Sequence, residues 1–236
     1  MKKTLFFLTL VLFVLITISC DKKTQEKPIT VNKTEPVSVE ENTNADSTTV
    51  DTLTSKIDSI EITHKVKIKT TMGDILIGLY GKDAPKTVEN FIGLVKKGYY
   101  NGILFHRVAK GFLIQTGDRN TKYRSKREKW GKGGESFFGH PFEDELYPET
   151  ISYQIGYEPG TVAMANRGPN TNTSQFFICL DEARDLDKNW TIFGRVLEGM
   201  DVVRAINDVE ITPGPFEPND GMPVKPIRII RMKLQK

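Results

Sequence analysis

Residues 105–118, FHRVAKGFLIQTGD, set His106 and Arg107 side by side among aromatic and aliphatic residues, with Gln115 eight positions after the arginine. From Phe105 to Gly117 there is no serine, cysteine or carboxylate to act as a nucleophile. The stretch reads as two short strands, ILFHRV and GFLIQT, that carry one permanent positive charge into an apolar setting.

Working outward, more short strands flank it: KVKIKT and DILIGLY around a Gly73 turn, then TVAMAN, SQFFICL, TIFGRV and a closing PIRIIRMKLQK. Two segments change to helical spacing. DAPKTVENFIGLVKKG has Asp83 as a cap, Pro85 in the first turn, Val88, Phe91, Ile92 and Val95 on one face, and Gly98 as the stop. GMDVVRAIND places Val202, Val203 and Ile206 on another face. Many short strands with two isolated helices predict a mainly β fold, either a closed antiparallel barrel or a sandwich.

The N-terminus is different. Lys2 and Lys3 precede an uncharged, mostly apolar run, Thr4–Ser19, which stops at Cys20 followed by Asp21. Residues 1–19 read as a secretory signal, since the run is short for a bilayer span. ITISC resembles a bacterial lipobox, with Thr17 in place of the usual aliphatic residue, so Cys20 is expected to be lipidated. Residues 20–63 are rich in Thr, Ser, Glu, Lys and Asn and contain no aromatic residue, which predicts a disordered tether ahead of a domain at 64–236. This arrangement predicts an exported chain, anchored by lipid to the periplasmic side of a membrane in the cell envelope. The only other cysteine, Cys179, leaves an acylated Cys20 no intrachain disulfide to form.

The net charge of +3 falls to +1 once Lys2 and Lys3 are removed, which gives no global argument for nucleic acid. Locally, residues 119–132, RNTKYRSKREKWGK, hold seven basic residues and one acid. They read as a solvated, mobile loop, or as a contact for anionic headgroups or acidic clients. The three histidines, His64, His106 and His140, are scattered, and there is no His-Glu-x-x-His, Gly-x-Ser-x-Gly or phosphate loop. The acids Glu143 to Glu145 read as a solvated turn, so no metal is expected.

Alternation puts Met164 with Asn166, and Gln175 with Phe177, on strand faces that could together grip a peptide. Alternation also puts Phe112 and Gln115 on opposite faces, which calls for a bend or bulge near Gly111.

FHRVAKGFLIQTGD, AMANRGPNTNTSQFFICL and IFGRV together resemble the signature blocks of the cyclophilin-type peptidyl-prolyl cis-trans isomerases, from about Val66 to Leu234. The resemblance implies a closed eight-stranded antiparallel β-barrel capped by two helices, a surface groove as the active site, proline-containing polypeptide substrates and no cofactor. A monomer is expected.

The resemblance also makes Arg107 the catalytic residue, aimed at the prolyl nitrogen. It places Phe112, Met164, Phe177 and Leu186 around the proline ring, with Gln115, Ala165, Asn166 and Gln175 on the substrate backbone and neighbouring subsite. His106 and Trp190 would flank the groove. His106 is not expected to act as an acid or base, because bond rotation moves no proton. Asp185 stands where many members have tryptophan, which argues against strong binding of cyclosporin. The alternative reading is a peptide-holding module of the same fold with little turnover.

Overall fold

The computed structural model describes residues 47–181, 186–214 and 217–235. The apolar run, Cys20 and Asp185 lie outside these residues. Among the described residues all strands belong to one antiparallel sheet: β1 (His64–Thr70), β2 (Gly73–Leu79), β3 (Arg107–Ala109), β4 (Leu113–Thr116), β5 (Thr161–Met164), β6 (Phe176–Cys179), β7 (Ile192–Glu198), β8 (Ile211–Pro213), β9 (Asp220–Pro223) and β10 (Ile229–Gln235). Their order across the sheet is β10-β1-β2-β7-β5-β6-β4-β3-β9-β8.

The mainly β, antiparallel expectation holds, but the closed eight-stranded barrel does not. Ten strands form an open order with β10 and β8 at its ends. The additional β8–β9 pair arises from ITP and DGMP, whose prolines and glycines hide short strands from a pattern based on alternation. The sheet still curls far enough to bring residues 102–105 against the start of β10. There Gly102 N–H donates to Ile229 O (2.8 Å), Ile229 N–H to Ile103 O (2.8 Å) and Phe105 N–H to Ile227 O (3.0 Å), around a single Leu104–Arg228 bridge.

Inside the curl, Ile68, Ile75, Ile77, Val108, Ile114, Val162, Phe176 and Phe193 are fully buried. The helix α2 (Pro85–Lys96) closes one opening, setting Phe91 edge-on to Phe176 at 5.4 Å between centroids. Its cap is not Asp83. The N-cap is Ala84, which has no capping side chain, and the first amides are instead satisfied from 59 residues away: the Glu145 carboxylate accepts from Lys86 N–H (3.0 Å) and Thr87 N–H (2.8 Å). Glu145 is therefore buried in a structural role rather than lying in a solvated turn. Asp83 accepts from Ser152 N–H (3.1 Å).

Four α-helices are present among the described residues, against two expected. Besides α2 and α4 (Met200–Asn207) there are α3 (Ile151–Ile155) and α1 (Ser47–Ser59). The helix α1 falls within the stretch expected to be a tether. Its Asp58 pairs with Arg195 (2.9 Å), and Ile60 and Ile62 pack on the outer face of the sheet. Ordered structure thus begins ahead of His64, because a few spaced aliphatics suffice when a sheet face is there to receive them.

The basic stretch is also more structured than expected. It forms 3₁₀ turns at Arg119–Lys122 and Arg124–Lys129. Asp118 accepts from Asn120 N–H (2.8 Å) and Gly133 N–H (3.0 Å), and Trp130 Nε1 donates to Asn120 O (3.1 Å). These bonds make the stretch one wall of the site described next.

Candidate active site

The strands β3 and β4 form a hairpin in which Arg107 lies directly opposite Gln115, Val108 opposite Ile114 and Ala109 opposite Leu113. Val108 and Ile114 point into the core, so Arg107 and Gln115 share the outer face. Three residues, Lys110 to Phe112, make the turn, with Gly111 at φ +71° and Phe112 N–H returning to Ala109 O (3.0 Å). Phe112 is in the turn, not in the strand. The apparent conflict with Gln115 therefore needs no bulge, because alternation begins only at Leu113.

Arg107 is partly exposed and held from two sides. Nε and Nη2 donate to the Asp220 carboxylate at 2.9 and 2.7 Å, and Nη1 donates to Gln115 Oε1 at 3.1 Å. The polar chain continues from Gln115 Nε2 to Gln175 Oε1 (2.9 Å), and from Gln175 Nε2 to Gly131 O (3.0 Å) and Gly133 O (2.5 Å). This chain uses three of the five guanidinium N–H bonds and fixes the plane of the group, leaving one hydrogen each on Nη1 and Nη2.

Beside it lies an apolar shelf on the outer face. Leu113, Ala163 and Phe177 are buried there, with Phe112, Ala165, Leu186 and Trp190 partly buried around them. Trp190 stands edge-on to Phe177 at 6.4 Å and to Tyr157 at 6.2 Å. The Tyr157 hydroxyl holds the Trp190 backbone, donating to its O (2.9 Å) and accepting from its N–H (3.0 Å).

Met164 is not part of this shelf. It pairs with Phe176 across β5 and β6, while Ala163 pairs with Phe177, so Met164 points into the main core and is fully buried there. The face assignment from alternation was thus reversed for β5 relative to β6, because direct cross-strand partners share a face.

Asn166 follows β5 and is held by its side chain, whose Nδ2 donates to Asn189 O (2.9 Å) and Asp144 Oδ1 (3.3 Å). Asp144 also accepts from Asn172 Nδ2 (2.6 Å) and Asn170 N–H (2.7 Å), tying down the 166–172 loop. A second acid of the supposed solvated turn is therefore an organiser of the groove.

His106 is buried beneath the rim, with Gly131 against it. Burial pushes its pKa below the ordinary histidine value, opposed by the Asp118 carboxylate and reinforced by Arg107. Burial thus favours its neutral imidazole. Among the described residues no cluster of three or more potential metal ligands occurs.

Two residues of the groove escaped sequence reasoning. Leu113 looks like any core leucine until the hairpin register turns it outward. Asp220 lies 113 residues from Arg107, and only the β3–β9 ladder, pairing Ala109 with Asp220, brings them together.

Residues 65–234 match the family model for cyclophilin type peptidyl-prolyl cis-trans isomerase/CLD. The chain is 39% identical over 170 residues to peptidyl-prolyl cis-trans isomerase CYP18-2 of Arabidopsis thaliana, covering 72% of this chain and 93% of that one. It is 45% identical over 157 residues to peptidylprolyl isomerase domain and WD repeat-containing protein 1 of Mus musculus, 66% of this chain but only 22% of that larger protein. Among solved structures, a cyclophilin type peptidyl-prolyl cis-trans isomerase of Cryptosporidium parvum crystallised in the presence of the dipeptide Ala-Pro superposes with a TM-score of 0.61 at 32% identity, covering 73% of this chain and 99% of that one.

Proposed function

We propose, on the premise that this chain belongs to the cyclophilin-type peptidyl-prolyl cis-trans isomerases, that its substrates are exported polypeptides and that Arg107 carries the catalysis. Rotation about the X–Pro bond must overcome amide resonance, a barrier of about 18–20 kcal/mol. In the twisted state the prolyl nitrogen becomes pyramidal and regains a lone pair. A guanidinium hydrogen aimed at that lone pair stabilises the twisted state more than either planar isomer, which is the condition for acceleration.

The observation that carries this reading is the clamp on Arg107. With Asp220 and Gln115 holding three of its N–H bonds, the guanidinium is fixed in place and keeps two hydrogens for the substrate without reorganising at the moment of reaction. The ring of the proline sits on Phe112, Leu113, Phe177 and Leu186, and Asn166 holds the residue before it by the backbone. Trp190 walls the groove, while His106 and Gln175 support the loop at residues 131–133. The protein works as a monomer in the cell envelope, tethered through lipid on Cys20, where it shortens the slow X–Pro steps in folding of exported chains.

Exchange NMR on a proline tetrapeptide tests the chemistry directly, since no coupled protease is needed. Acceleration of the cis-to-trans exchange is expected, and a folded protein that binds the peptide without accelerating it would reduce the groove to a holding module. Metabolic labelling with a fatty acid tests the anchor: incorporation that disappears in Cys20→Ser is expected, and no incorporation into the wild type would rule it out.

A further inference from the structure

Two basic features far apart in the sequence meet on the outer surface. The first is the exposed face of β1 and β10, where Lys65, Lys67 and Lys69 alternate with buried Val66 and Ile68, and Arg231 and Lys233 flank buried Met232. The register sets like charges directly opposite each other: Lys67 faces Lys233, and Lys69 faces Arg231. Such cross-strand pairs destabilise a sheet. Charges on β10 can guard an edge strand, but β1 lies between β10 and β2 and has no edge to guard. Asp74 offsets part of the repulsion by pairing with Lys67 (2.8 Å).

The second feature is the turn at Arg124–Lys129, in which no residue is buried. Lys126 lies over the Tyr123 ring at 5.0 Å and Arg127 over Trp130 at 5.5 Å. The two features join at Gly102, against which both Arg228, just ahead of β10, and Lys122, just ahead of the turn, are packed. Glu128 is the single acid within the turn. Among the described residues Asp74 is the one acid that pairs with this stripe, and the cations of the turn pair with none.

We propose that the stripe is a docking surface for an anionic phospholipid bilayer. The choice of partner rests on the anchor reading above. Residues 21–46 separate Cys20 from α1, at most about 90 Å of chain, and β1 is the first strand after α1. On that reading a bilayer is the anion kept within reach of the stripe, and lipid plus a basic surface supplies two attachments. Arg127 and Trp130 also line a cavity of about 680 Å³ with Arg107 and Asp220, so docking brings one wall of the groove toward the headgroups.

The test reads lysine acetylation by mass spectrometry on the full chain reconstituted into vesicles of phosphatidylcholine, alone or with about a third replaced by phosphatidylglycerol. At low salt, acetylation of Lys65, Lys69, Lys126, Lys129 and Lys233 is expected to slow at least about threefold on the anionic vesicles. Lys188, which bonds to Tyr153 O on α3, is expected to react equally on both. The slowing should shrink at high salt and in the Arg124→Gln, Arg127→Gln, Arg231→Gln triple variant, which leaves the reporting lysines in place. Equal rates on both vesicles, or a slowing that includes Lys188, would overturn the surface. Protection by polyglutamate on neutral vesicles, without protection by phosphatidylglycerol, would also overturn it and reassign the stripe to acidic polypeptides.

Lys233→Gln, which relieves one like-charge pair, is expected to keep or raise the urea midpoint; a lower midpoint would make this cation part of the fold and count against the surface. Flotation of the same samples scores the anchor separately. A chain that floats with neutral vesicles but shows no slowing on anionic ones keeps the anchor and loses the surface. One that floats only with anionic vesicles, with its stripe lysines protected there relative to the chain beside neutral vesicles, loses the anchor and keeps the surface.

Discussion

Arg107 and Asp220 meet through two guanidinium nitrogens, Nε at 2.9 Å and Nη2 at 2.7 Å from the same carboxylate oxygen, with the second oxygen 3.0 Å from Nε. The pair is partly exposed, with side chains 42% and 27% accessible, so its direct worth to stability is at most about 1 kcal/mol. Its weight lies in orientation.

Asp220→Ala should therefore lower kcat/KM by about tenfold through misplacement of the guanidinium, while changing the urea midpoint little. Asp220→Asn, which can still accept one hydrogen bond, should recover part of the loss. A drop confined to KM, or a large loss of stability with unchanged kcat, would mean that the carboxylate does not act through Arg107.

The buried His106 makes a prediction about pH. Its folded pKa lies below the unfolded value of 6.5. Above pH 6.5 both states are neutral and the residue contributes no pH dependence. Below it the unfolded chain takes up the proton first, so this site weakens the fold as pH falls toward the folded pKa. Urea unfolding should show a part of the stability loss below pH 6.5 that is absent in His106→Phe. An unchanged slope would mean that the ring titrates freely in the folded state.

The shelf and the core can be separated by paired substitutions. Leu113→Ala should cost about 2–4 kcal/mol and also weaken peptide binding, because it opens the floor of the groove. Met164→Leu, a volume-conserving change in the main core, should cost under about 1.5 kcal/mol and leave peptide affinity alone. Titration of both variants with the same proline peptide checks this. Weakened binding in Met164→Leu alone would put that side chain back in the groove.

Much of this was legible in the chain. Arg107, Gln115 and Gln175 were singled out from the signature blocks and are joined by direct hydrogen bonds. The four apolar residues read on one face of α2, Val88, Phe91, Ile92 and Val95, are all buried, and Thr87, Asn90, Gly93 and Leu94 are buried beside them. What escaped depended on distance or on register. Asp220 and Glu145 do their work on residues far away in sequence, where no local spacing reports them. Met164 takes the other face because its cross-strand partner is Phe176, and Leu113 joins the groove because it shares the Gln115 face once the turn at Lys110–Phe112 is made. The basic stretch read as a loop because its order comes from Asp118 and Trp130 bonding to backbone, which charge counting does not see.

The most direct test of the account is the exchange rate of a proline tetrapeptide with the wild type and with Arg107→Ala, folding of both being verified by their amide spectra. A loss of at least tenfold in the variant, about 1.4 kcal/mol of transition-state stabilisation, with peptide affinity changed much less, is the predicted result. Undiminished acceleration by folded Arg107→Ala would contradict the central claim that this guanidinium stabilises the twisted amide.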